Sequence, residues 1–182
     1  MKSRLLLLGP PGAGKGTQAE LISSSIGLLH LSTGDLLRAE VIANTKLGKS
    51  AAAVMKSGEL VSDELVLAIV ESNLAKNAKG WILDGFPRTL GQAKSLETLL
   101  IQINQQIEVV VSLELNDDLL IERLLLRGRS DDNEAVIRHR LEVYKEKTAP
   151  LIDFYSKKGL LESVHANGSI EEITDRVEKV LS

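Results

Sequence analysis

The chain has 182 residues, the size of one domain, and its 43% hydrophobic and 26% charged residues are typical of a globular protein. A net charge of −3 gives no overall attraction for nucleic acid or an anionic membrane, so we expect neither as a partner. The chain has no cysteine, which excludes a disulfide framework, a thiolate nucleophile and cysteine-ligated zinc, and a reducing cytoplasm is its expected location.

Five short apolar runs predict the strands of a sheet. In chain order they are 5–8, 28–31, 81–83, 109–113 and 160–164. Each run is continuous rather than alternating, as in strands that are covered on both faces. Longer segments with helical features separate them. The repeated order of strand and helix predicts an α/β fold with a five-stranded parallel sheet and helices on both faces.

Capping residues mark the ends of two helices in the second half of the chain. Asn116 or Asp117 can cap a helix that runs to about Arg127. Ser169 and Glu172 have the spacing of a capping box, in which each side chain accepts a hydrogen bond from the backbone of the other. We therefore expect the last helix to begin directly after Ser169.

A further helix is predicted over 133–157. It contains Pro150, which lacks a backbone N–H and clashes with the preceding turn, so we expect a kink there. Asp131, with Glu134 three residues later, could form a capping box at the start of this helix. We therefore interpret Asp131 and Asp132 as lid or cap residues and not as catalytic ones.

A glycine-rich segment separates the first strand from the first helix. Residues 9–17 read Gly-Pro-Pro-Gly-Ala-Gly-Lys-Gly-Thr. Glycines let backbone amides turn toward phosphate oxygens, the helix N-terminus adds partial positive charge, and Lys15 can reach the terminal phosphates. Gly16 stands where the usual pattern has Ser or Thr, so direct ligation of magnesium by a hydroxyl at that position is in doubt. The pattern predicts a phosphate site, and a plain turn with a solvated lysine is the less favoured alternative.

Arginine is concentrated in one part of the chain. Five of the nine arginines lie within 123–140, namely Arg123, Arg127, Arg129, Arg138 and Arg140. Arg123 and Arg127 are four residues apart on one helix face, where like charges repel unless an anion lies between them. This spacing favours a phosphate site, although cations near a helix C-terminus also interact favourably with its dipole.

Four segments together resemble the adenylate kinase family. They are Gly-Pro-Pro-Gly-Ala-Gly-Lys-Gly-Thr-Gln at 9–18, Leu-Ser-Thr-Gly-Asp-Leu-Leu-Arg at 31–38, Asp-Gly-Phe-Pro-Arg at 84–88 and Thr-Ala-Pro-Leu at 148–151. The resemblance covers essentially the whole chain, in order. It implies a fold of the P-loop NTPase type, with residues 1–182 as a single kinase domain. Within that domain it implies an acceptor-binding segment at 32–61 and a short lid at 127–133.

The resemblance also implies an activity. A member of this family would transfer the terminal phosphoryl group reversibly from Mg-ATP to AMP, giving two ADP, and so maintain the balance of adenine nucleotides. It would work as a cytoplasmic monomer, with magnesium carried by ATP and without zinc. Asp84 would orient the magnesium through water.

The resemblance carries over to individual residues. The expected ATP-binding residues are Gly12, Ala13, Gly14, Lys15, Gly16, Thr17, Arg127 and Gly168, with Asn167 beside the adenine. The expected AMP-binding residues are Thr33, Arg38, Glu59, Leu60, Val61, Gly85, Phe86, Pro87, Arg88, Gln92, Arg129 and Arg140. The expected catalytic cations are Lys15, Arg88, Arg123, Arg127, Arg129 and Arg140. Arg138 has no role in the family pattern, and we expect it to be solvated or salt-bridged.

Several alternatives stay open. Asp84 could be a plain cap or turn residue, and Gln92 could form a capping box with Thr89 instead of binding the adenine edge. A UMP or CMP acceptor is disfavoured, because relatives that use those substrates usually have Ala at the position of Thr33. A nucleotide-binding switch without transfer is also disfavoured, because the guanine-binding pattern Asn-Lys-x-Asp is missing and a switch needs no second set of arginines.

Overall fold

Strands and helices follow one another along the chain. The computed structural model describes residues 1–74, 79–129 and 133–182. The strands are β1 (Arg4–Leu8), β2 (Leu29–Ser32), β3 (Trp81–Asp84), β4 (Val109–Glu114) and β5 (Leu161–His165). The helices are α1 (Lys15–Ile26), α2 (Thr33–Ile42), α3 (Lys46–Ser57), α4 (Asp63–Leu74), α5 (Leu90–Gln102), α6 (Asp117–Arg127), α7 (Glu134–Val143), α8 (Pro150–Lys157) and α9 (Ile170–Leu181), with a π-helical turn at Tyr144–Thr148. Within the described ranges, no helix has both the length and the apolar character required to cross a membrane.

The five strands form one parallel sheet in the order β2-β3-β1-β4-β5. In the central strand, Leu6 lies opposite Leu83 of β3 and Val110 of β4. Each strand begins and ends within one residue of its predicted run. The predicted five-stranded parallel sheet is therefore confirmed.

The side chains of β1 alternate between two hydrophobic cores. Leu5 and Leu7 pack in a core with residues of α1, α6, α7 and α9, whereas Leu6 and Leu8 pack with residues of α4, α5 and α8. All four leucines are buried, because successive side chains of a strand point to opposite faces and helices cover both. This confirms the predicted helices on both faces of the sheet.

Two of the predicted helix starts are confirmed by their capping bonds. Asn116 caps α6, where its Oδ1 accepts a 3.0 Å hydrogen bond from the backbone of Leu119. Ser169 caps α9: its Oγ accepts from the backbone of Glu172 at 3.2 Å, and the Glu172 carboxylate accepts from the backbone of Ser169 at 2.9 Å.

The helix predicted over 133–157 is divided into α7 and α8. Asn133 caps α7 through a 3.0 Å bond, in place of the predicted capping box, and Asp131 and Asp132 lie outside the described residues. The interruption precedes Pro150 rather than forming at it. The backbone N–H of Ala149 donates to the carbonyl of Tyr144, five residues earlier, at 2.8 Å. This wider turn accommodates the proline ring, which would clash with an ordinary helical turn before it.

The carboxyl ends of the parallel strands meet at one edge of the sheet. The glycine-rich loop follows β1 at this edge, and Ser32 at the end of β2 caps α2. Asp84 ends β3, and the loop to α5 follows it. Open parallel sheets bind their ligands at this edge, so the predicted site residues converge there from separate parts of the chain.

Candidate active site

A cleft of about 690 Å³ opens at this edge of the sheet. Every residue that the sequence predicted for ATP, AMP, catalysis or magnesium lines it, from Gly12 in the glycine-rich loop to Gly168 before α9. Asn167, which was expected beside the adenine, is not among the residues that line the cleft. Its backbone and side-chain oxygens accept hydrogen bonds from the guanidinium of Arg176 at 2.6 and 3.5 Å.

The glycine-rich loop turns directly into the N-terminus of α1. Gly12 adopts a φ of +87°, and a Cβ there would lie only 2.9 Å from the backbone oxygen of Leu120 in α6. Glycine is therefore required both by the turn and by the close approach of α6. Lys15 is the first residue of α1, and its Nζ donates to the carbonyls of Gly9 and Pro10 at 2.7 and 3.0 Å. The loop thus combines a helix N-terminus with a cation, a combination that attracts phosphate.

The cleft is strongly cationic although the chain as a whole is acidic. Among the described residues, seven cationic side chains and four carboxylates line it. The cations are Lys15, Arg38, Arg88, Arg123, Arg127, Arg129 and Arg140, and the carboxylates are Glu20, Asp35, Glu59 and Asp84. Cations from separate places in the chain therefore meet around one space. Such a local excess of positive charge fits a ligand with several negative charges.

Burial and mutual repulsion act on two of these cations. Partial burial of Lys15 lowers the pKa of its ammonium from 10.5 to about 8; the charge of Asp84 opposes this shift, and Arg88 and Arg127 add to it. Desolvation by the surrounding protein likewise lowers the pKa of Arg88. The charge of Asp84 opposes this shift, and the charges of Arg140 and Arg38 add to it. Both groups would be stabilised by an anion placed between them.

Asp35 connects two of the arginines. Its carboxylate forms an ion pair with Arg38, three residues later on α2, and lies 3.6 Å from Nη2 of Arg129. Although burial acts in the opposite direction, hydrogen bonds from Arg38 and Ser32 lower the pKa of Asp35. Asp35 was given no role from the sequence. Its spacing of three residues from Arg38 on one helix was the signal that could have predicted this ion pair.

The carboxylate of Asp84 faces the glycine-rich loop. Asp84 ends β3, is 9% exposed, and its Oδ2 would lie 3.4 Å from a Cβ placed on Gly16. The position that usually holds a hydroxyl is thus open space beside a buried carboxylate oxygen. A hard cation such as magnesium prefers oxygen ligands and retains several waters, so this arrangement fits magnesium bound mainly through water and phosphate.

The part of the cleft beside the loop after β3 contains a chain of hydrogen bonds around Arg88. Its Nε donates to the carbonyl of Gly85 at 2.7 Å, and its own carbonyl accepts from the hydroxyl of Thr148 at 2.8 Å. Thr33 is buried near the same turn, and its hydroxyl lies 3.5 Å from the carbonyl of Asp84. Thr148 belongs to the segment 148–151 that resembles the family, but its support of this loop was not predicted from the sequence.

Gln92 is held by three contacts in this structure. Its backbone N–H donates to the hydroxyl of Thr89 at 3.1 Å, which is the predicted cap of α5. Its side-chain oxygen accepts from the backbone of Arg88 at 2.7 Å, and its side-chain nitrogen donates to Asp63 at 2.6 Å. The amide is therefore committed to protein partners, and binding of an adenine edge would require it to exchange one of them.

Another part of the cleft lies between α6 and the start of α9. Arg123 donates to the carbonyl of Ala166 at 3.1 Å, two residues before Gly168, so its guanidinium is anchored beside this loop. Ile170 follows Gly168 with 51% of its surface exposed and also lines the cleft. Gln18 donates to the carbonyl of Ile170 at 3.2 Å and fixes that position. This apolar wall was not predicted from the sequence. The isoleucine two residues after Gly168 was the signal that could have indicated it.

Comparison with known proteins agrees with this geometry. The family model for adenylate kinase matches residues 7–160. An adenylate kinase of Parasynechococcus marenigrum (strain WH8102) is 69% identical over 183 positions, and one of Prochlorococcus marinus (strain MIT 9303) is 68% identical over 181. An adenylate kinase of Synechococcus sp. (strain RCC307) is 59% identical over 182. Each alignment covers 100% of both chains. The chain therefore belongs to the adenylate kinase family.

Proposed function

We propose that the cleft holds Mg-ATP and AMP end to end and transfers the γ-phosphoryl group of ATP to the phosphate of AMP, giving two ADP. The observation that carries the proposal is the convergence of seven cations around a single cleft that begins at the glycine-rich loop. One triphosphate at that loop would account for only part of this positive charge, which exceeds that of the four carboxylates in the cleft. Two nucleotides with adjacent phosphates account for both groups of cations.

In the donor site, the glycine-rich loop and Lys15 bind the phosphates of ATP. Lys15 exchanges its bonds to the carbonyls of Gly9 and Pro10 for phosphate oxygens, which restores the charged form of its ammonium. Arg127 adds charge from the end of α6, and Arg123, anchored to Ala166, binds the donor nearer its nucleoside. Ile170 and Gly168 form the wall for the base.

Magnesium would enter with ATP, and Asp84 is the residue that would orient it, through water. Bound magnesium would offset the negative charge of the phosphates. Asp84 has a second effect that does not depend on the metal, because its carboxylate stabilises the charged forms of Lys15 and Arg88.

In the acceptor site, Arg38, Arg88, Arg129 and Arg140 bind the phosphate of AMP. Planar guanidinium groups suit this task, because each can donate two parallel hydrogen bonds to phosphate oxygens. The backbone of residues 59–61, the turn at residues 85–87 and Thr33 form the wall around the base. Gln92 binds the adenine edge only by giving up a present partner.

The chemistry needs alignment and charge stabilisation rather than a general base. The attacking phosphate oxygen of AMP is already anionic near neutral pH. As its bond to the γ-phosphorus forms, the bond from that phosphorus to the bridging oxygen of ATP breaks, and the electron pair stays on the leaving ADP. Arginines around the transferred group stabilise the charge in the transition state, and one such residue can contribute about 10³- to 10⁵-fold in rate.

The segment 127–133 would act as a short lid that excludes water from the transferred group. Arg127 and Arg129, at its first positions, line the cleft, and Gly128 has a φ of +67° between them. A monomer in the cytoplasm is part of the same proposal.

Product analysis tests the proposed function. The protein is mixed with Mg-ATP and with AMP, UMP, CMP or GMP in turn, and the nucleotides are separated by chromatography. We expect rapid formation of ADP from AMP, with equal loss of ATP and AMP, and much slower reaction of the other monophosphates. Hydrolysis of ATP without phosphorylation of any monophosphate, or a preference for UMP or CMP, would contradict the proposal.

A further inference from the structure

A cluster of charged side chains outside the reacting centre joins the acceptor segment to α7. Glu59 lies in the loop between α3 and α4. Its Oε1 lies 2.7 Å from Nε2 of His139 on α7, and its Oε2 lies 3.4 Å from Nζ of Lys147 in the π-helical turn. The two carboxylate oxygens thus have different partners. One side chain bridges the acceptor segment to two successive parts of the opposite wall.

The backbone next to Glu59 also packs closely on α7. Gly58 has a φ of +83°, and a Cβ there would lie 3.1 Å from Cγ of Arg140 and 3.4 Å from Cγ1 of Val136. Glycine is required by both the turn and the contact. The loop that presents the backbone of Glu59 to the cleft therefore lies against the helix that presents Arg140. Whatever fixes this contact also fixes the spacing of two walls of the acceptor site.

We propose that Glu59, His139 and Lys147 form a clasp that holds the acceptor segment against α7 and so strengthens binding of the acceptor nucleotide. The inference rests on the proposed function, because it assigns the acceptor to this half of the cleft. His139 and Lys147 are positioning residues and do not line the cleft themselves. The clasp acts by organising the site before the ligand arrives, which reduces the ordering required on binding.

The clasp responds to pH through His139. The charged groups that face His139 are Glu59 from the acceptor segment, Glu142 on α7 at 3.8 Å from Nδ1, and Arg140 and Lys147 close by. The hydrogen bond with His139, followed by the charge of Lys147, lowers the pKa of Glu59 and so favours its charged carboxylate. Protonation of His139 converts a neutral hydrogen bond into an ion pair between opposite charges. The clasp therefore tightens as the pH falls.

The expected effect is modest. The side chains of Glu59, His139 and Lys147 are 41–42% exposed, so water and salt screen their interaction. Exposed ion pairs contribute little, so we expect a change of up to about fivefold in affinity. A change of that size in AMP affinity, without a change in ATP affinity, distinguishes the clasp from general destabilisation.

Isothermal titration calorimetry with AMP tests the clasp without requiring turnover. The wild type, His139→Gln and Lys147→Gln are titrated with AMP and with ATP at about pH 6 and pH 8. Arg138→Gln is the matched control, since Arg138 lies on the same helix and its exposed pair with Glu134, at 2.9 Å, faces away from the cleft machinery. We expect His139→Gln to weaken AMP binding about two- to fivefold at the lower pH, and less at the higher pH.

Lys147→Gln should lose a similar amount of AMP affinity, and this loss should not depend on pH. ATP binding and melting temperature should be unchanged in both variants. AMP binding equal to wild type in both single variants, or equal losses for AMP and ATP, would overturn the inference. The proposed function has its own test, which is independent of the clasp: it fails if the wild type forms no ADP from ATP and AMP.

Discussion

The hydroxyl of Thr148 donates a 2.8 Å hydrogen bond to the backbone carbonyl of Arg88. Thr148 ends the π-helical turn that precedes Pro150 and is 8% exposed, whereas Arg88 lies in the loop after β3. The two residues are 60 positions apart in the chain. The widened turn between α7 and α8 thus supports the loop that presents Arg88 to the cleft.

Removal of this hydroxyl should weaken both the fold and the acceptor site. Thr148→Val keeps the shape of the side chain but leaves the carbonyl of Arg88 without this donor, which should cost about 1–3 kcal/mol of unfolding free energy. We also expect KM for AMP to rise more than KM for ATP. Thr148→Ser retains the hydroxyl and is the control. Urea denaturation and steady-state kinetics would contradict this account if the Val and Ser variants behaved alike.

Arg88 itself should be essential to turnover and dispensable for folding. Arg88→Ala should reduce kcat/KM for AMP by about a hundredfold or more, because a positioned phosphate donor is lost. Melting temperature should change little, since the side chain of Arg88 is exposed in the free protein. Arg88→Lys should recover only part of the activity, because an ammonium lacks the planar fork. Near-normal activity of Arg88→Ala would remove Arg88 from the mechanism.

Lys15 should make ATP binding depend on pH in the alkaline range. Burial lowers its pKa to about 8 in the free protein, and phosphates favour its charged form, so binding above that pH should take up a proton. Titrations in buffers of different ionisation enthalpy measure this uptake. Lys15→Arg stays charged and should show none from this site. Equal proton uptake by the variant and the wild type would contradict the assignment.

The lowered pKa of Lys15 also makes the stability of the folded protein depend on pH. The folded pKa of Lys15, about 8, lies below its ordinary value of 10.5, so between these values the unfolded chain holds the proton and the folded protein does not. Stability relative to Lys15→Met should therefore rise as the pH increases from 8 to 10.5. Chemical denaturation of both proteins across this range measures the difference. A difference that falls with increasing pH would contradict the direction of the shift.

Gln92 should affect AMP more than ATP. Gln92→Ala removes the side-chain bonds to Arg88 and Asp63 while leaving the Thr89 cap in place, since that cap uses the backbone of Gln92. If the amide also binds the adenine edge, KM for AMP should rise at least about tenfold, beyond the effect of one neutral hydrogen bond. Asp63→Asn, which alters a partner of Gln92 outside the cleft wall, provides the comparison. Equal losses for AMP and ATP would favour a purely structural role for Gln92.

The sequence allowed the sheet to be predicted because its strands are buried on both faces. Such strands appear as continuous apolar runs, and each was located to within one residue. The glycine-rich loop could be predicted for a similar reason, since its turn and its contact with α6 require small residues at fixed positions, as at Gly12. The family followed from the order of the motifs and is confirmed by the comparisons.

Contacts between distant residues could not be predicted in the same way. Gln92 meets Asp63 from 29 positions away, and Glu59 meets His139 from 80 positions away. No local pattern encodes these pairs, because packing of helices against each other determines which side chains meet. The division of the helix over 133–157 has a related cause. The sequence located the proline, but whether the chain would kink or widen into a π-helical turn depended on the surrounding packing.

The central claim is that two nucleotides occupy the cleft with their phosphates adjacent. Calorimetric titration with a bisubstrate dinucleotide, in which a chain of phosphates joins two adenosines, tests this claim most directly. We expect one molecule to bind per chain, several orders of magnitude more tightly than ATP, and to be displaced by ATP and also by AMP, because each occupies one of the two sites that the dinucleotide spans. Affinity no greater than that of ATP, with displacement by ATP and no effect of AMP, would show that only one nucleotide is bound.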